Sequence, residues 1–142
     1  MGFFYTMKSL LFFLIVLLTS SCGIRSLTKK GNYQELAPEA YLEYVQDSSV
    51  NIIDVRTNTE FEKSHIEGAL NVNYFGGHFK RDLNQLNIDS TKTTLIYCET
   101  QHRSLFVAKK LKKVGFLKVI DLDKGMMNWR KQGFPHYNQE TK

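Results

Sequence analysis

Hydrophobic residues along this chain change their spacing repeatedly, from short unbroken runs to a helical period and back again. Unbroken runs rich in valine, isoleucine and leucine are typical of strands that are buried on both faces of a parallel sheet. The run that ends at residue 97 is β-branched and aromatic, and it is the clearest of them. The sequence predicts strands over residues 50–55, 69–72, 93–97 and 118–122.

Between these runs, apolar residues recur every three or four positions, which indicates amphipathic helices. In the clearest case, four lysines between residues 109 and 113 occupy the face opposite the apolar one, and Gly115 ends the pattern. The sequence predicts helices over residues 38–45, 59–64, 79–86, 105–114 and 126–131. Helices that alternate with strands predict an α/β fold in which a parallel sheet is covered on both faces.

Composition and charge limit the size of the domain and its partners. A chain of 142 residues, with 42% hydrophobic and 23% charged residues, has enough apolar material for one ordinary domain. Its formal charge of +5 is spread between a basic linker and the lysine-rich helix. A nucleic-acid surface would need a basic stripe with interleaved aromatic residues, whereas these lysines occupy the outer face of a helix. We therefore expect no nucleic-acid partner.

The first 21 residues have the pattern of an export signal. Lys8 precedes an unbroken apolar run over residues 10–18, and small residues then lead to Cys22. The run is shorter than the ~20 apolar residues that a membrane-spanning helix needs, unless residues 2–5 extend it. Met7 is an alternative start of the protein.

A cysteine directly after such small residues resembles the bacterial lipoprotein signal, in which that cysteine is acylated and becomes the new amino terminus. The resemblance implies a signal peptide over residues 1–21 and a lipidated tether over residues 22–32. Cys22 would then hold the protein on a membrane of the bacterial cell envelope, facing the periplasm or the exterior. An uncleaved anchor and an ordinary secreted protein are the alternatives.

The domain is predicted over residues 33–138, followed by a polar tail over residues 139–142, and we expect a monomer.

Cys98 stands directly after the clearest strand, and the next helix begins about six residues later. With Cys22 acylated, Cys98 is the only free thiol of a protein in a compartment that oxidises thiols. The amino terminus of the next helix stabilises an anion, and a tight loop before Ser104 can turn several amides towards the sulfur. Arg103 adds a positive charge. These features predict an ionised and reachable nucleophile, the alternative being an inert, buried cysteine with Arg103 on the surface.

Four motifs follow one another within residues 33–137. They are Asp54-Val55-Arg56 with Glu60 and Phe61, then His65-Ile66-Glu67-Gly68-Ala69, then Tyr97-Cys98 with Arg103-Ser104, and lastly Gly125, Trp129 and Gly133-Phe134-Pro135. In this order they resemble the signature of the rhodanese-like sulfurtransferase family. The resemblance implies a single α/β domain with a central parallel sheet of about five strands and helices on both faces.

The same resemblance implies a sulfurtransferase or persulfide carrier. Cys98 would take a sulfane sulfur from a small donor as a persulfide and pass it to a thiol or thioredoxin-like acceptor. No metal or organic cofactor is implied. The loop that would hold the persulfide consists of Glu99, Thr100, Gln101, His102, Arg103 and Ser104.

The length and composition of this loop affect the choice of chemistry. Phosphatases that resemble this fold need five residues between cysteine and arginine, and here there are four, which favours sulfur over phosphoryl chemistry. Gln101 replaces a glycine that is usual at the fourth loop position, where a positive φ is accessible. Glu99 places a negative charge beside the thiolate, so a neutral or thiol-bound persulfide donor is favoured over a dianion such as thiosulfate. A non-catalytic module that binds a partner or senses oxidants through Cys98 is the alternative function.

Four residues outside the loop are expected to support it. Arg56 and Glu60 are predicted to form an ion pair that braces the first strand end near Asp54, unless Arg56 faces the substrate. His65 is expected to make an ordering hydrogen bond to the backbone or to Asp54. His102, within the loop, is either a proton-transfer group beside the sulfur or simply exposed.

Overall fold

The structure is a computed structural model, and it describes residues 32–141. The predicted signal peptide, the tether up to residue 31 with Cys22, and Lys142 lie outside the described residues. Within residues 32–141, the helices and strands alternate almost throughout. In chain order they are β1 (Asn32–Leu36), α1 (Pro38–Val45), β2 (Asn51–Asp54), α2 (Asn58–Lys63), β3 (Ser64–His65), β4 (Leu70–Asn71), α3 (Phe79–Gln85), β5 (Thr93–Tyr97), α4 (His102–Lys113), β6 (Lys118–Leu122), α5 (Gly125–Lys131), β7 (Tyr137–Asn138) and a 3-10 turn (Gln139–Thr141).

Five strands form one parallel sheet in the order β1-β6-β5-β2-β4. Successive residues of a strand point to opposite faces, so each strand contributes to two cores. One core lies beneath α3 and α4 and includes Leu83 and Leu111, and the other lies beneath α1 and α5 and includes Tyr41 and Trp129. The predicted α/β fold, with a central five-stranded parallel sheet covered on both faces, is confirmed. No helix within residues 32–141 combines the length and the apolar character needed to span a bilayer.

The edge strand β1 has no counterpart among the strands predicted from the sequence. It begins at Asn32, the last residue of the predicted tether, and its residues are exposed or only half-buried. Its polar sequence lacks the apolar run by which buried strands are identified, because an edge strand needs mainly backbone pairing. That pairing, parallel to β6, places Glu35 opposite Asp121. The short antiparallel pair β3–β7 was also missed, because a strand of two residues is too short to show a periodic pattern.

Helix α4 begins three residues earlier than the apolar pattern indicates. Its first turn consists of His102, Arg103 and Ser104, which the sequence placed in the loop. Polar residues are common in a first turn, because the amides there have no acceptor within the helix. The loop between β5 and α4 is therefore only four residues long, from Cys98 to Gln101.

Candidate active site

Cys98 follows β5, which lies at the centre of the sheet, and its neighbours fix the strand end. Tyr97 accepts a hydrogen bond from the Val55 amide at 3.0 Å, which joins the ends of β5 and β2. The Cys98 side chain is fully buried in the core beneath α3 and α4. The expectation of a reachable sulfur is therefore wrong for this conformation, because packing from α3 and α4 covers the end of the strand.

The first two peptide units of the loop are held by the amino terminus of α5. The Met126 amide donates to the Cys98 carbonyl at 2.8 Å, and the Met127 amide donates to the Glu99 carbonyl at 3.0 Å. In a trans peptide the C=O and the following N–H point in opposite directions, so the Glu99 and Thr100 amides point away from α5. Among residues 32–141, the amides of residues 99–103 find no protein acceptor. These free donors are what an anion-binding loop requires.

Gly125 allows the loop and α5 to approach this closely. Its φ is +64°, and a Cβ placed there would lie 2.4 Å from the Cys98 carbonyl oxygen and 2.7 Å from the Glu99 carbonyl oxygen. Contacts of that length do not occur, so any side chain at this position has to displace the loop backbone. Gly125 is thus a requirement of the loop geometry as well as of the turn into α5.

Gln101 keeps the backbone conformation that a glycine would normally provide. Its φ is +73° and its ψ is −16°, in the left-handed region. Its side-chain Oε1 accepts from the Lys124 amide at 3.2 Å, and its carbonyl accepts from the Ser104 hydroxyl at 2.9 Å and the Leu105 amide at 3.3 Å. These bonds offset the strain of a side chain at positive φ, which is of order 1–3 kcal/mol.

Arg103 lies against the cysteine and is oriented by Glu60. Its guanidinium makes two hydrogen bonds to the Glu60 carboxylate, at 2.8 Å and 2.7 Å. The pKa of Arg103 is raised, first by these bonds to Glu60 and to a smaller extent by Cys98, which is its neighbour. Glu60 is itself fixed, because it forms a capping box with Thr57 at the start of α2. Hydrogen bonding to Arg103 lowers the pKa of Glu60 to about 2, so the carboxylate stays ionised in neutral solution.

The predicted ion pair between Arg56 and Glu60 does not form. Arg56 is 1% exposed, and its side chain donates to Asp54 at 2.6–3.0 Å and to Glu99 at 3.1 Å. Arg56 precedes the helix cap, so the four-residue spacing to Glu60 does not place the two on one helix face. Burial raises the pKa of Asp54, and Arg56 opposes that rise.

Glu99 is paired with two arginines rather than lying free beside the sulfur. It accepts from Arg56 and also makes a hydrogen bond and an ion pair with Arg130. Its charge is thereby balanced, which weakens the expected repulsion between Glu99 and an anionic donor. Arg56, Glu60, Glu99 and Arg130 line a cavity of about 310 Å³, in which Cys98 has no part. A larger groove of about 570 Å³ lies between α3 and α4, away from the loop.

Neither histidine of interest contacts the sulfur. His65 lies between the rings of Phe61 and Tyr137, and its Nδ1 donates to the Phe61 carbonyl at 2.8 Å rather than to Asp54. His102 is exposed, and its Nδ1 lies 3.0 Å from the Thr100 hydroxyl oxygen. The structure thus gives His65 a backbone-ordering contact, and it shows His102 at the entrance to α4.

Two residues near the loop were missed from the sequence. Arg130 was not singled out, although it pairs with Glu99 from α5. Asp121 was treated only as part of a strand, although it is fully buried and its Oδ2 lies 2.9 Å from the Ser104 hydroxyl oxygen. A carboxylate inside an apolar run was the available signal for Asp121, whereas nothing in the sequence indicates the partner of Arg130.

Comparison with known proteins places the chain in a family. The family model for the rhodanese-like domain matches residues 37–132. The chain belongs to the rhodanese-like domain family. The matched residues of this rhodanese-like chain include β2, the Cys98 loop and all of α5, so the family assignment covers the whole candidate site.

Two curated relatives of this rhodanese-like chain are named as a sulfur carrier or a sulfurtransferase. It is 35% identical to the putative sulfur carrier protein YrkF of Bacillus subtilis over 108 residues, which are 75% of this chain and 56% of YrkF. It is 32% identical to the adenylyltransferase and sulfurtransferase UBA4 of Candida albicans over 113 residues, which are 76% of this chain and 26% of UBA4. The match thus covers less than two thirds of either relative.

Solved structures agree with the fold. The rhodanese-related protein of Thermoplasma volcanium superposes with a TM-score of 0.63 at 19% identity, covering 74% of this chain and 98% of that one. The thiosulfate sulfurtransferase of Pseudomonas aeruginosa superposes with a TM-score of 0.65 at 19% identity, covering 79% of this chain and 21% of that one. At this level of identity, both comparisons concern the fold alone.

Proposed function

We propose that this protein is a sulfurtransferase or persulfide carrier in which Cys98 takes up a sulfane sulfur from a small donor and passes it to a thiol-type acceptor. The observation that carries the proposal is the loop after β5, where α5 holds the Cys98 and Glu99 carbonyls and the amides of residues 99–103 are left without protein acceptors. The sulfur-carrier and sulfurtransferase names of the two relatives support the same class of chemistry.

The reaction consists of two displacements at sulfur. The Cys98 thiolate attacks the outer sulfur of a donor persulfide R–S–S⁻, the S–S bond of the donor breaks, and R–S⁻ leaves. The outer sulfur is then the anionic end of a Cys98 persulfide, which free backbone amides and Arg103 stabilise. An acceptor thiolate attacks that sulfur and releases the Cys98 thiolate, so sulfur moves without net oxidation or reduction.

Burial of Cys98 also favours a second function, a non-catalytic module that binds a partner. A fully buried thiol suits a module that binds a partner and has no turnover, because a donor has to displace covering side chains before it reaches the sulfur. The buried residues of the core that holds Cys98 include Val72, Phe79 and Val107. The two functions differ in whether sulfur is taken up by the folded protein.

The test is a mass measurement of the purified protein after reaction with a small persulfide donor. We expect the mass to increase by one sulfur atom at Cys98, and a thiol acceptor to remove that sulfur. Cys98→Ser should gain nothing, whereas Cys22→Ala should gain sulfur as the wild type does. Alkylation of a separate unfolded sample checks that Cys98 is a free thiol. Sulfur uptake by Cys98→Ser would contradict the proposal. No uptake by wild-type protein that passes the alkylation check would also contradict it, and would favour the binding module.

We also propose that Cys22 is acylated, which would hold the domain on a membrane of a bacterial cell envelope, facing the periplasm or the exterior. Support comes from the basic residue, apolar run and small residues that precede Cys22. In a bacterial host given labelled fatty acid, we expect the label to attach to the wild-type chain and not to Cys22→Ala. Cys98→Ser is the matched control and should keep the label. Equal labelling of Cys22→Ala would refute the anchor.

A further inference from the structure

A row of hydrogen-bonding side chains leads from the exposed edge strand to the Cys98 loop. Glu35 and Tyr33 of β1 lie 2.9 Å apart, and the Tyr33 hydroxyl lies 3.1 Å from Asp121 Oδ2 in β6. The same Asp121 oxygen lies 2.9 Å from the Ser104 hydroxyl of α4, which lies 2.9 Å from the Gln101 carbonyl. Asp121 and Ser104 are fully buried.

The number of hydroxyl and carboxyl hydrogens limits how these contacts can be satisfied. The Ser104 hydroxyl has one hydrogen but two oxygen neighbours, and the Gln101 carbonyl can only accept. If Ser104 donates to Gln101, the contact between Ser104 and Asp121 needs a hydrogen from Asp121. The row has four contacts, and with an ionised Asp121 only the Tyr33 and Ser104 hydroxyl hydrogens are available to fill them. A protonated Asp121 supplies a third hydrogen. The protonated carboxyl therefore satisfies the row of contacts better than the carboxylate does.

The surroundings of Asp121 also favour its protonated form. Its Oδ1 is buried and has no hydrogen-bond partner of normal geometry among residues 32–141, which is costly for a carboxylate, and the backbone amide of Leu122 offsets that cost only in part. Glu35 and Tyr33 face it from β1 and Tyr41 from α1, and none of these titratable groups supplies a positive charge. From β5, Ile96 lies opposite in register, and from α4 the facing polar group is Ser104. Burial is the main reason that the pKa of Asp121 rises to about 7.

We propose that protonated Asp121 is a positioning residue, which donates to Ser104 and so leaves the Ser104 hydrogen to hold the Gln101 carbonyl of the Cys98 loop. When Asp121 ionises, Ser104 turns its hydrogen to the carboxylate, and the Gln101 carbonyl keeps only the 3.3 Å bond from the Leu105 amide. The loop then loses a hydrogen bond at its residue of positive φ. This inference rests on the proposed sulfur transfer at Cys98, and it makes that transfer decline as Asp121 loses its proton.

The test compares the wild type with Asp121→Asn, whose amide donates to Ser104 at every pH. We expect the persulfide-loading rate of the wild type, divided by that of Asp121→Asn, to be near unity below about pH 6. Above about pH 8 this ratio should fall by about three- to tenfold, the factor that corresponds to one hydrogen bond. Taking the ratio cancels the ionisation of the donor and of Cys98, which both proteins share. Ser104→Ala should load slowly at all pH values, since it cannot hold Gln101. A ratio that does not change with pH would overturn the proposal.

A second measurement is independent of sulfur transfer. In ¹³C-labelled protein, we expect the Asp121 carboxyl resonance, assigned by its absence in Asp121→Asn, to titrate near pH 7. The amide resonances of Gln101 and Leu105 should move with the same midpoint in the wild type and stay fixed in Asp121→Asn. Loop amides that ignore this titration would overturn the positioning role even where sulfur transfer is found. Loop amides that follow it, in a protein that takes up no sulfur, would support the positioning role and refute the proposed function alone.

Discussion

The Arg56→Met variant is expected to lose about 3–5 kcal/mol of unfolding free energy at neutral pH. Arg56 is buried and is the cation that offsets the fully buried Asp54 carboxylate, to which its side chain makes three hydrogen bonds. Methionine keeps most of the side-chain length but leaves Asp54 charged, buried and without its partner. Equilibrium unfolding in urea measures the loss, which is large compared with the usual stability of a domain of this size.

The pH dependence and two further variants show whether the unpaired charge is the cause. Without Arg56, burial keeps the pKa of Asp54 above its value in the unfolded chain, so the unfolded chain ionises first as pH rises. Unfolding free energy then falls with rising pH, and the deficit should be smaller near pH 4 than at pH 7. Adding Asp54→Asn should recover part of the loss at pH 7. Arg81→Met, whose pair with Asp82 is exposed, should cost less than ~1 kcal/mol. An equal loss in Arg56→Met and Arg81→Met would contradict this account of Arg56.

The second large effect is expected for Gly125→Ala, at about 2–5 kcal/mol together with loss of sulfur uptake. The added Cβ would meet the Cys98 and Glu99 carbonyl oxygens at 2.4 Å and 2.7 Å, so the loop backbone has to move away from α5. Such a movement breaks the bonds from the Met126 and Met127 amides and turns the free amides of the loop. Thermal unfolding and the mass assay for sulfur uptake measure the two consequences.

Gly133→Ala is the matched control for this prediction. Gly133 has a similar positive φ of +76°, but an added Cβ there meets nothing within 4 Å. It should therefore cost only the strain of alanine at positive φ, about 1–2 kcal/mol, and leave sulfur uptake intact. If both variants took up sulfur equally, close approach at Gly125 would not be what shapes the loop.

The parts of the fold that the sequence predicted best are those whose residues are buried on both sides. Residues 93–97 and 118–122 were predicted with the bounds that β5 and β6 have, because both segments are rich in the β-branched and apolar residues that are typical of a central strand. Strand β1 was not predicted, since its partner β6 supplies what its own polar residues do not indicate. Helix α4 was predicted from its apolar face, but its polar first turn has no such face.

The site was predictable as a set of positions but not as a set of contacts. The strand and helix pattern located Cys98, Arg103 and Gln101 at one end of the sheet. Partner choice depends on distances between elements that are far apart in sequence, and so Glu60 was assigned to Arg56 although it binds Arg103. Burial of Cys98 was not predictable for the same reason, because α3 and α4 approach it only in the folded sheet.

The two bonds from α5 to the loop also affect the order in which the protein matures. The donors are Met126 and Met127, which the ribosome adds almost thirty residues after Cys98, and α5 is in turn held by the Trp129 indole, which donates to the Pro135 carbonyl. A nascent chain that has emerged only as far as α4 has its cysteine but no fixed loop around it. During synthesis there is therefore an interval in which the thiol is open to reaction with solutes, and it ends only when the carboxyl-terminal segment packs against the loop.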